Sequence, residues 1–136
     1  MKKKILIVDD NTDLNRVLQM SLNESFETLA AINGEEAVDL AVTEIPDLII
    51  MDLMMNGMNG FEAIRLIRQV PKTRSIPIIA ITAGLSNSVE EECARIGCND
   101  FLFKPFTASQ LNFSIAKLLN QNGSERDQMS EPGDTK

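Results

Sequence analysis

The sequence predicts an α/β fold, a five-stranded parallel sheet doubly wound by five helices, and three observations carry it. Short β-branched apolar runs alternate five times with amphipathic stretches, the three central runs lack the in-out alternation of a half-buried strand, and turn or cap residues punctuate the segments. Strands are expected near residues 5–9, 27–31, 47–52, 76–82 and 100–104, and helices near 12–24, 34–44, 60–70, 86–97 and 107–119. Ile5-Leu6-Ile7-Val8, Leu48-Ile49-Ile50-Met51 and Ile78-Ile79-Ala80-Ile81 read as strands buried on both faces. The more mixed Glu27-Thr28-Leu29-Ala30-Ala31 suits an edge, and the open strand order 2-1-3-4-5 is expected.

The helix signals agree with this layout. Asn11 or Thr12 can cap the first helix, whose Leu14, Val17, Leu18 and Leu22 form one apolar stripe. Asn33-Gly34 turns the chain into the second helix, and Gly97 suits the position just past the end of the fourth. In the last helix Leu111, Ile115 and Leu118 face inward, while Phe113 lies roughly 200° round from Leu111 and should point outward as a contact candidate. From Asn120 to Lys136 the one large apolar residue is Met129. That stretch lacks the surface to offset its chain entropy, so residues 1–119 are expected to form the domain and 120–136 a disordered polar tail.

Composition removes several classes of function. The 136 residues carry Lys+Arg 13 against Asp+Glu 20, a net charge of −7, which disfavours direct nucleic-acid binding and attraction to anionic bilayers. The absence of histidine excludes Ser-His triads, His general bases, His-ligated zinc and phosphohistidine chemistry on this chain. Cys93 and Cys98 form no CxxC and read as reduced core thiols. The apolar run after Met1-Lys2-Lys3-Lys4 is closed at once by Asp9 and Asp10, too short for a signal h-region or a membrane span, so a cytoplasmic location is expected.

In a parallel sheet every strand's carboxyl end lies on one edge, so residues there converge however far apart they are in sequence. Here those residues are Asp9 and Asp10 after the first strand, Asp52 ending the third, Thr82 ending the fourth and Lys104 ending the fifth. Three carboxylates at one rim need a cation, and an all-oxygen pocket with few protein ligands suits Mg²⁺, which keeps waters and shares a phosphate. Asp52 can then attack a phosphoryl donor and become an aspartyl phosphate. The loose transition state asks for positioning and charge neutralisation, which Mg²⁺ and Lys104 supply, with Thr82 donating a hydrogen bond to the phosphoryl oxygens.

Residues 4–119 resemble the receiver domain of two-component response regulators, similar in size and layout to the single-domain chemotaxis regulator. The resemblance rests on Ile-Leu-Ile-Val-Asp9-Asp10-Asn11, on Asp52 followed by Leu-Met-Met-Asn-Gly-Met-Asn-Gly60, on Thr82-Ala83 and on Lys104-Pro105-Phe106, all in order. It implies a flavodoxin-like fold, a phosphoacceptor at Asp52, and Mg²⁺ held by Asp9, Asp10, Asp52 and the backbone carbonyl of Met54. It also implies a switch in which Thr82 moves toward the phosphoryl group while Phe101 turns inward, and a cis peptide bond before Pro105. The phosphoryl donor would be a sensor histidine kinase or phosphotransfer protein docking on the first helix, with Leu14, Asn15 and Leu18, and on the loop around Pro105. Output to a downstream protein would use the face of the fourth helix, fifth strand and fifth helix, with Val89, Glu90 and Cys93 on one helix and Asn112, Phe113 and Lys117 on the other. The last helix lacks the dense basic set of winged-helix regulators, so a monomer or weak dimer is expected.

Departures from the family pattern have consequences. Asn56 and Asn59 stand where Pro and Asp are commonest, which changes loop rigidity, and Phe101 replaces the frequent Tyr and its hydroxyl. Met54 and Gly84 occupy two positions that in this family tune hydrolysis, and neither side chain can orient a water, so slow self-dephosphorylation is expected. A starting Met and the polar tail favour a stand-alone regulator as the expectation, with the receiver segment of a larger hybrid kinase or transcription regulator as the alternative. A mononucleotide carrier of the same strand order would need a Ser/Thr/Gly-rich anion loop where Asp9-Asp10-Asn11-Thr12-Asp13 stands. A hydrolase of the haloacid dehalogenase kind would need a second Asp at the position of Met54.

Overall fold

A computed structural model of the chain describes residues 2–55, 57–83 and 87–123, and the side chains of all of these except 87–89 and 121–123. Five βα units follow one another: β1 (Lys4–Val8), α1 (Thr12–Leu22), β2 (Glu27–Ala31), α2 (Gly34–Glu44), β3 (Leu48–Asp52), α3 (Gly60–Gln69), β4 (Ile78–Thr82), α4 (Asn87–Ile96), β5 (Asp100–Phe103) and α5 (Ala108–Gly123). The strands form one sheet in the order β2-β1-β3-β4-β5, every neighbouring pair parallel. This is the doubly wound order expected from the apolar runs.

The sheet separates two apolar cores. Residues of one parity, Leu6 and Val8, Ile49 and Met51, Ile78 and Ala80, pack with Ala37, Ala63, Ile64, Ile67 and Cys93 of α2, α3 and α4. Those of the other parity, Ile5 and Ile7, Leu48 and Ile50, Ile79 and Ile81, pack with Leu18 and Leu22 of α1 and Leu111, Ile115 and Leu118 of α5. Both faces of β1, β3 and β4 are thereby dry, which is why these strands lack alternation in sequence. In the edge strand β2 only Ala31 is buried, with Thr28 and Leu29 half-buried.

Helix starts are set by asparagines. The side chains of Asn11, Asn33 and Asn59 accept the N–H groups of Leu14, Glu36 and Glu62 at 3.1, 2.7 and 2.9 Å, each satisfying a donor that the first turn leaves without a helical acceptor. Gly97 ends α4 with φ +101, and both its N–H and that of Cys98 reach the Cys93 carbonyl, at 3.1 and 2.9 Å. Cys98 thus folds back beside Cys93, and burial pushes both thiols up, away from reactive thiolate.

Three boundaries, by two residues or more, and one helix face differ from the sequence reading. β4 begins at Ile78 because Pro77 has no N–H to offer the ladder, α1 stops at Leu22, and α5 continues to Gly123, past the end expected at residue 119. Residues 124–136, most of the expected tail, lie outside the described residues, as do Asn56 and Gly84. On α1 the inward positions are Asn15, Leu18 and Leu22, whereas Val17 is 58% exposed. An apolar-stripe reading rotated the helix, since it had no reason to place an asparagine inside.

Candidate functional site

Strand alternation decides which chain ends share a face. On the side of α1 and α5, the inward row of β1 runs Ile5, Ile7 and then Asp9; that of β3 runs Leu48, Ile50 and then Asp52; that of β5 runs Leu102 and then Lys104. The apolar rows therefore terminate in two carboxylates and an ammonium at the carboxyl edge. Asp10 joins them from the next residue, and one carboxylate oxygen from each of Asp9, Asp10 and Asp52 lies within 4.8 Å of the others. Asp9 and Asp52 are buried, while Asp10 is more open. Lys104 Nζ stands 3.3 Å from Asp9 Oδ2 and 3.5 Å from Asp52 Oδ2, held between the two.

The remaining oxygens are tied to loop backbone. Asp9 Oδ1 accepts the Asn11 N–H at 2.9 Å, and Asp52 Oδ1 accepts the Met54 N–H at 3.1 Å. Burial pushes the Asp52 carboxyl up to about 6, and the Asp9 charge pushes the same way, while the Met54 N–H and Lys104 oppose them. One ammonium against three carboxylates leaves a negative excess in a partly desolvated, all-oxygen pocket. That donor set fits a hard divalent cation of the Mg²⁺ type, with Asp9, Asp10 and Asp52 as the side chains able to hold it. The Met54 peptide adjoins Asp52, and its side chain is 65% exposed.

Thr82 is buried at the end of β4, one residue beyond Ile81, which pairs with Asp52. Its carbonyl accepts the Lys104 N–H at 2.8 Å, tying the two strand ends together. By alternation Thr82 continues the row of Ala80, on the face where Phe101 packs half-buried against the α2–α4 core. The Phe101 ring meets that of Phe103 edge-on, with centroids 5.5 Å apart. The Lys104–Pro105 bond is cis.

On α5, Asn112 is exposed and Phe113 is 71% exposed. Lys117 is drawn back over the domain, its Nζ 3.2 Å from Asp100 Oδ2 and 5.7 Å from the Phe113 ring centroid. Burial pushes the Asp100 carboxyl up, but hydrogen bonds from the Ser114 hydroxyl, the Phe101 N–H and Lys117 outweigh it and hold the group below its ordinary range. On α4, Glu90 is exposed and Cys93 lies in the core, so Cys93 offers nothing to a partner; the Val89 side chain is outside the described residues.

Two residues with a hold on the site were not read as part of it from the sequence. Gly60 opens α3 with its N–H on the Leu53 carbonyl at 3.1 Å, and a Cβ there would meet the Asp52 carbonyl oxygen and, at 2.7 Å, Leu53 Cα. Asn15, expected on a docking surface, is buried beneath the end of β1. A glycine following a cap asparagine, and an asparagine in register with Leu18 and Leu22, are the sequence signals that could have marked them.

The response regulator receiver domain model matches residues 5–116, and the chain belongs to that family. It is 33% identical over 123 residues to the alkaline phosphatase synthesis transcriptional regulatory protein PhoP of Bacillus subtilis, covering 90% of this chain and 50% of that protein. It is 36% identical over 121 residues to the polar-differentiation response regulator DivK of Brucella anthropi, covering 88% of this chain and 98% of that protein. The chain thus spans about half of PhoP, 54% of the phosphate regulon regulatory protein PhoB of Rhizobium meliloti and 23% of the response regulator PleD of Caulobacter vibrioides. Among solved structures, the chemotaxis protein CheY4 of Vibrio cholerae superposes with a TM-score of 0.83 at 28% identity, covering 87% of this chain and 99% of that one. The receiver domain of the sensor histidine kinase PA1611 of Pseudomonas aeruginosa, solved with a magnesium ion coordinated in its active site cleft, gives 0.81 at 30%, covering 88% and 99%. The domain is a regulatory module of phosphorylation-based two-component signalling rather than a conventional enzyme. Among the described residues no helix is long and apolar enough to cross a membrane.

Proposed function

We propose that this domain is a phosphorylation-activated switch that takes a phosphoryl group onto Asp52 from a sensor histidine kinase or phosphotransfer protein, with Mg²⁺ as cofactor. The observation that supports it above all is the convergence of Asp9, Asp10, Asp52 and Lys104 at one sheet edge. Asp9, Asp10, Asp52 and the Met54 carbonyl would hold Mg²⁺, which when bound supplies positive charge against the transferring phosphoryl oxygens. The Asp52 carboxylate forms the new O–P bond as the donor's P–N bond breaks, the electron pair leaving with the histidine nitrogen. Met54 N–H fixes one carboxylate oxygen so that the other faces Lys104, whose ammonium offsets the charge of the incoming group. Thr82 donates a hydrogen bond to the phosphoryl group, Phe101 moves inward, and the face bearing Asn112, Phe113 and Lys117 signals to a downstream protein.

The donor's docking surface is the groove between α1 and α5, about 510 Å³, lined by Leu14, Val17, Ser21, Pro105 and Phe106 among others. Val17 belongs to it by virtue of the exposure that removes it from the core, and Asn15 does not.

Incubation with acetyl phosphate and Mg²⁺ is expected to add about 80 Da, one PO₃H group, to the wild type and nothing to Asp52→Asn. Lys104→Ala should slow uptake on the order of a hundredfold, the scale of losing one preorganised charge stabiliser. Uptake by Asp52→Asn, or uptake indifferent to metal, would refute the assignment. The exposed apolar Met54 side chain supports slow self-dephosphorylation, so the added mass should persist for many minutes after the donor is removed; decay within seconds contradicts it.

A further inference from the structure

Asn15 lies at the end of the first turn of α1 and is 2% exposed, a polar side chain in the row otherwise made by Leu18 and Leu22. Its Nδ2 sits 3.1 Å from the Ala31 carbonyl at the end of β2, 3.2 Å from the Ile7 carbonyl of β1 and 3.4 Å from the carbonyl of Asp9 itself. Its Oδ1 accepts from Gln19 Nε2 at 3.1 Å, so the buried amide is satisfied on both sides. The Ala31 carbonyl also takes the Asp9 N–H at 3.1 Å, so the amide and the Asp9 peptide share one acceptor. The side chain thus braces the point where the chain leaves β1.

From this we infer that Asn15 is a positioning residue for the acidic pair: by holding the Asp9 peptide against the ends of β1 and β2, it aims Asp9 and Asp10 at the cation site. The inference rests on the proposed function. Asp9 is then fixed from three directions, by Asn15 at its backbone, by the Asn11 N–H on Oδ1 and by Lys104 on Oδ2. A helix face that packed with apolar contact alone would permit the strand end to slide; two directional N–H groups shared among the Ala31, Ile7 and Asp9 carbonyls do not.

The test compares Asn15→Ala, Asn15→Ser and Leu22→Ala, the last a core truncation at the other end of α1. Mg²⁺ alone is titrated by backbone amide NMR shifts, acetyl phosphate uptake is followed by intact mass, and thermal stability is recorded for each. Asn15→Ala is expected to raise the Mg²⁺ Kd by about tenfold, the scale of losing a partner behind a metal ligand, and to slow uptake at low Mg²⁺ with recovery at saturating Mg²⁺. Asn15→Ser, which keeps one donor, should fall between. Leu22→Ala should lose stability yet leave the Mg²⁺ Kd within about twofold, as a distant site would. An unchanged Kd in Asn15→Ala, or an equal loss in Leu22→Ala, overturns the inference. Should Asn15→Ala not fold, a wild-type Kd in Asn15→Ser overturns it in the same way. Failure of the wild type to bind Mg²⁺ would overturn the proposed function as well, whereas the other failures touch Asn15 alone.

Discussion

Asp52→Asn is expected to make the metal-free domain more stable at neutral pH, with a gain on the order of 2 kcal/mol that vanishes in acid. The folded-state carboxyl titrates near 6 against an ordinary value of 3.8, so between those values the folded chain binds more protons than the unfolded one. Wild-type stability therefore falls as pH rises through this window, and the full penalty for an ionised Asp52 is present above about 6. Asparagine carries no such penalty at any pH. Urea melts without metal should show the two proteins alike near pH 3.5, diverging up to about pH 6 and parallel beyond it. A flat difference would show that the Met54 N–H and Lys104 balance burial and the Asp9 charge at this carboxylate, and one of opposite sign that they outweigh them. Because the cation takes the ionised form, Mg²⁺ affinity should drop by about tenfold per pH unit below about 6, and added Mg²⁺ should narrow the gap between the two proteins at pH 7.

Gly60→Ala should be more damaging than its size suggests. The added methyl would be driven into the Asp52 carbonyl and Leu53 Cα, backbone atoms that move only if the end of β3 moves. Overpacking of this kind costs about 1–3 kcal/mol, and here the strain falls on the residue proposed to receive the phosphoryl group. Stability should fall by that amount, and the rate of phosphoryl uptake by about tenfold or more, as expected when a reacting group shifts by a fraction of an ångström. Intact-mass kinetics and thermal melts check both together; a variant that loses stability but takes up phosphoryl at the wild-type rate would show that α3 retreats and leaves Asp52 in place.

The fold was legible because its determinants are local and repeated. Unbroken apolar runs marked β1, β3 and β4, and Asn11 and Asn33 marked two helix starts, while the cap at Asn59 was not read as one. The convergence of Asp9, Asp10, Asp52 and Lys104 was legible for a different reason: parallel strands put all their carboxyl ends on one edge, so strand order sufficed without side-chain geometry. What the sequence could not supply was rotation about a helix axis. Leu14, Val17, Leu18 and Leu22 made a plausible stripe, but the strand-end carbonyls beneath α1 required a donor, and Asn15 turned inward at the expense of Val17. The role of Gly60 was equally hidden, since a glycine chosen for what lies against it looks the same as one chosen for its turn.

The hydrogen bond that the Lys104 N–H donates to the Thr82 carbonyl has a consequence for how a signal would cross the domain. Asp9, Asp52 and Lys104 close the rows on one side of the sheet, while Thr82 and Phe101 belong to rows on the other. The sheet is a wall one residue thick, and at its rim this hydrogen bond works like a hinge pin set through it. A twist of β5 that followed Lys104 would carry the Thr82 peptide with it, so the switch proposed for Thr82 and Phe101 would draw on rotation of a strand end as well as on the Thr82 hydroxyl.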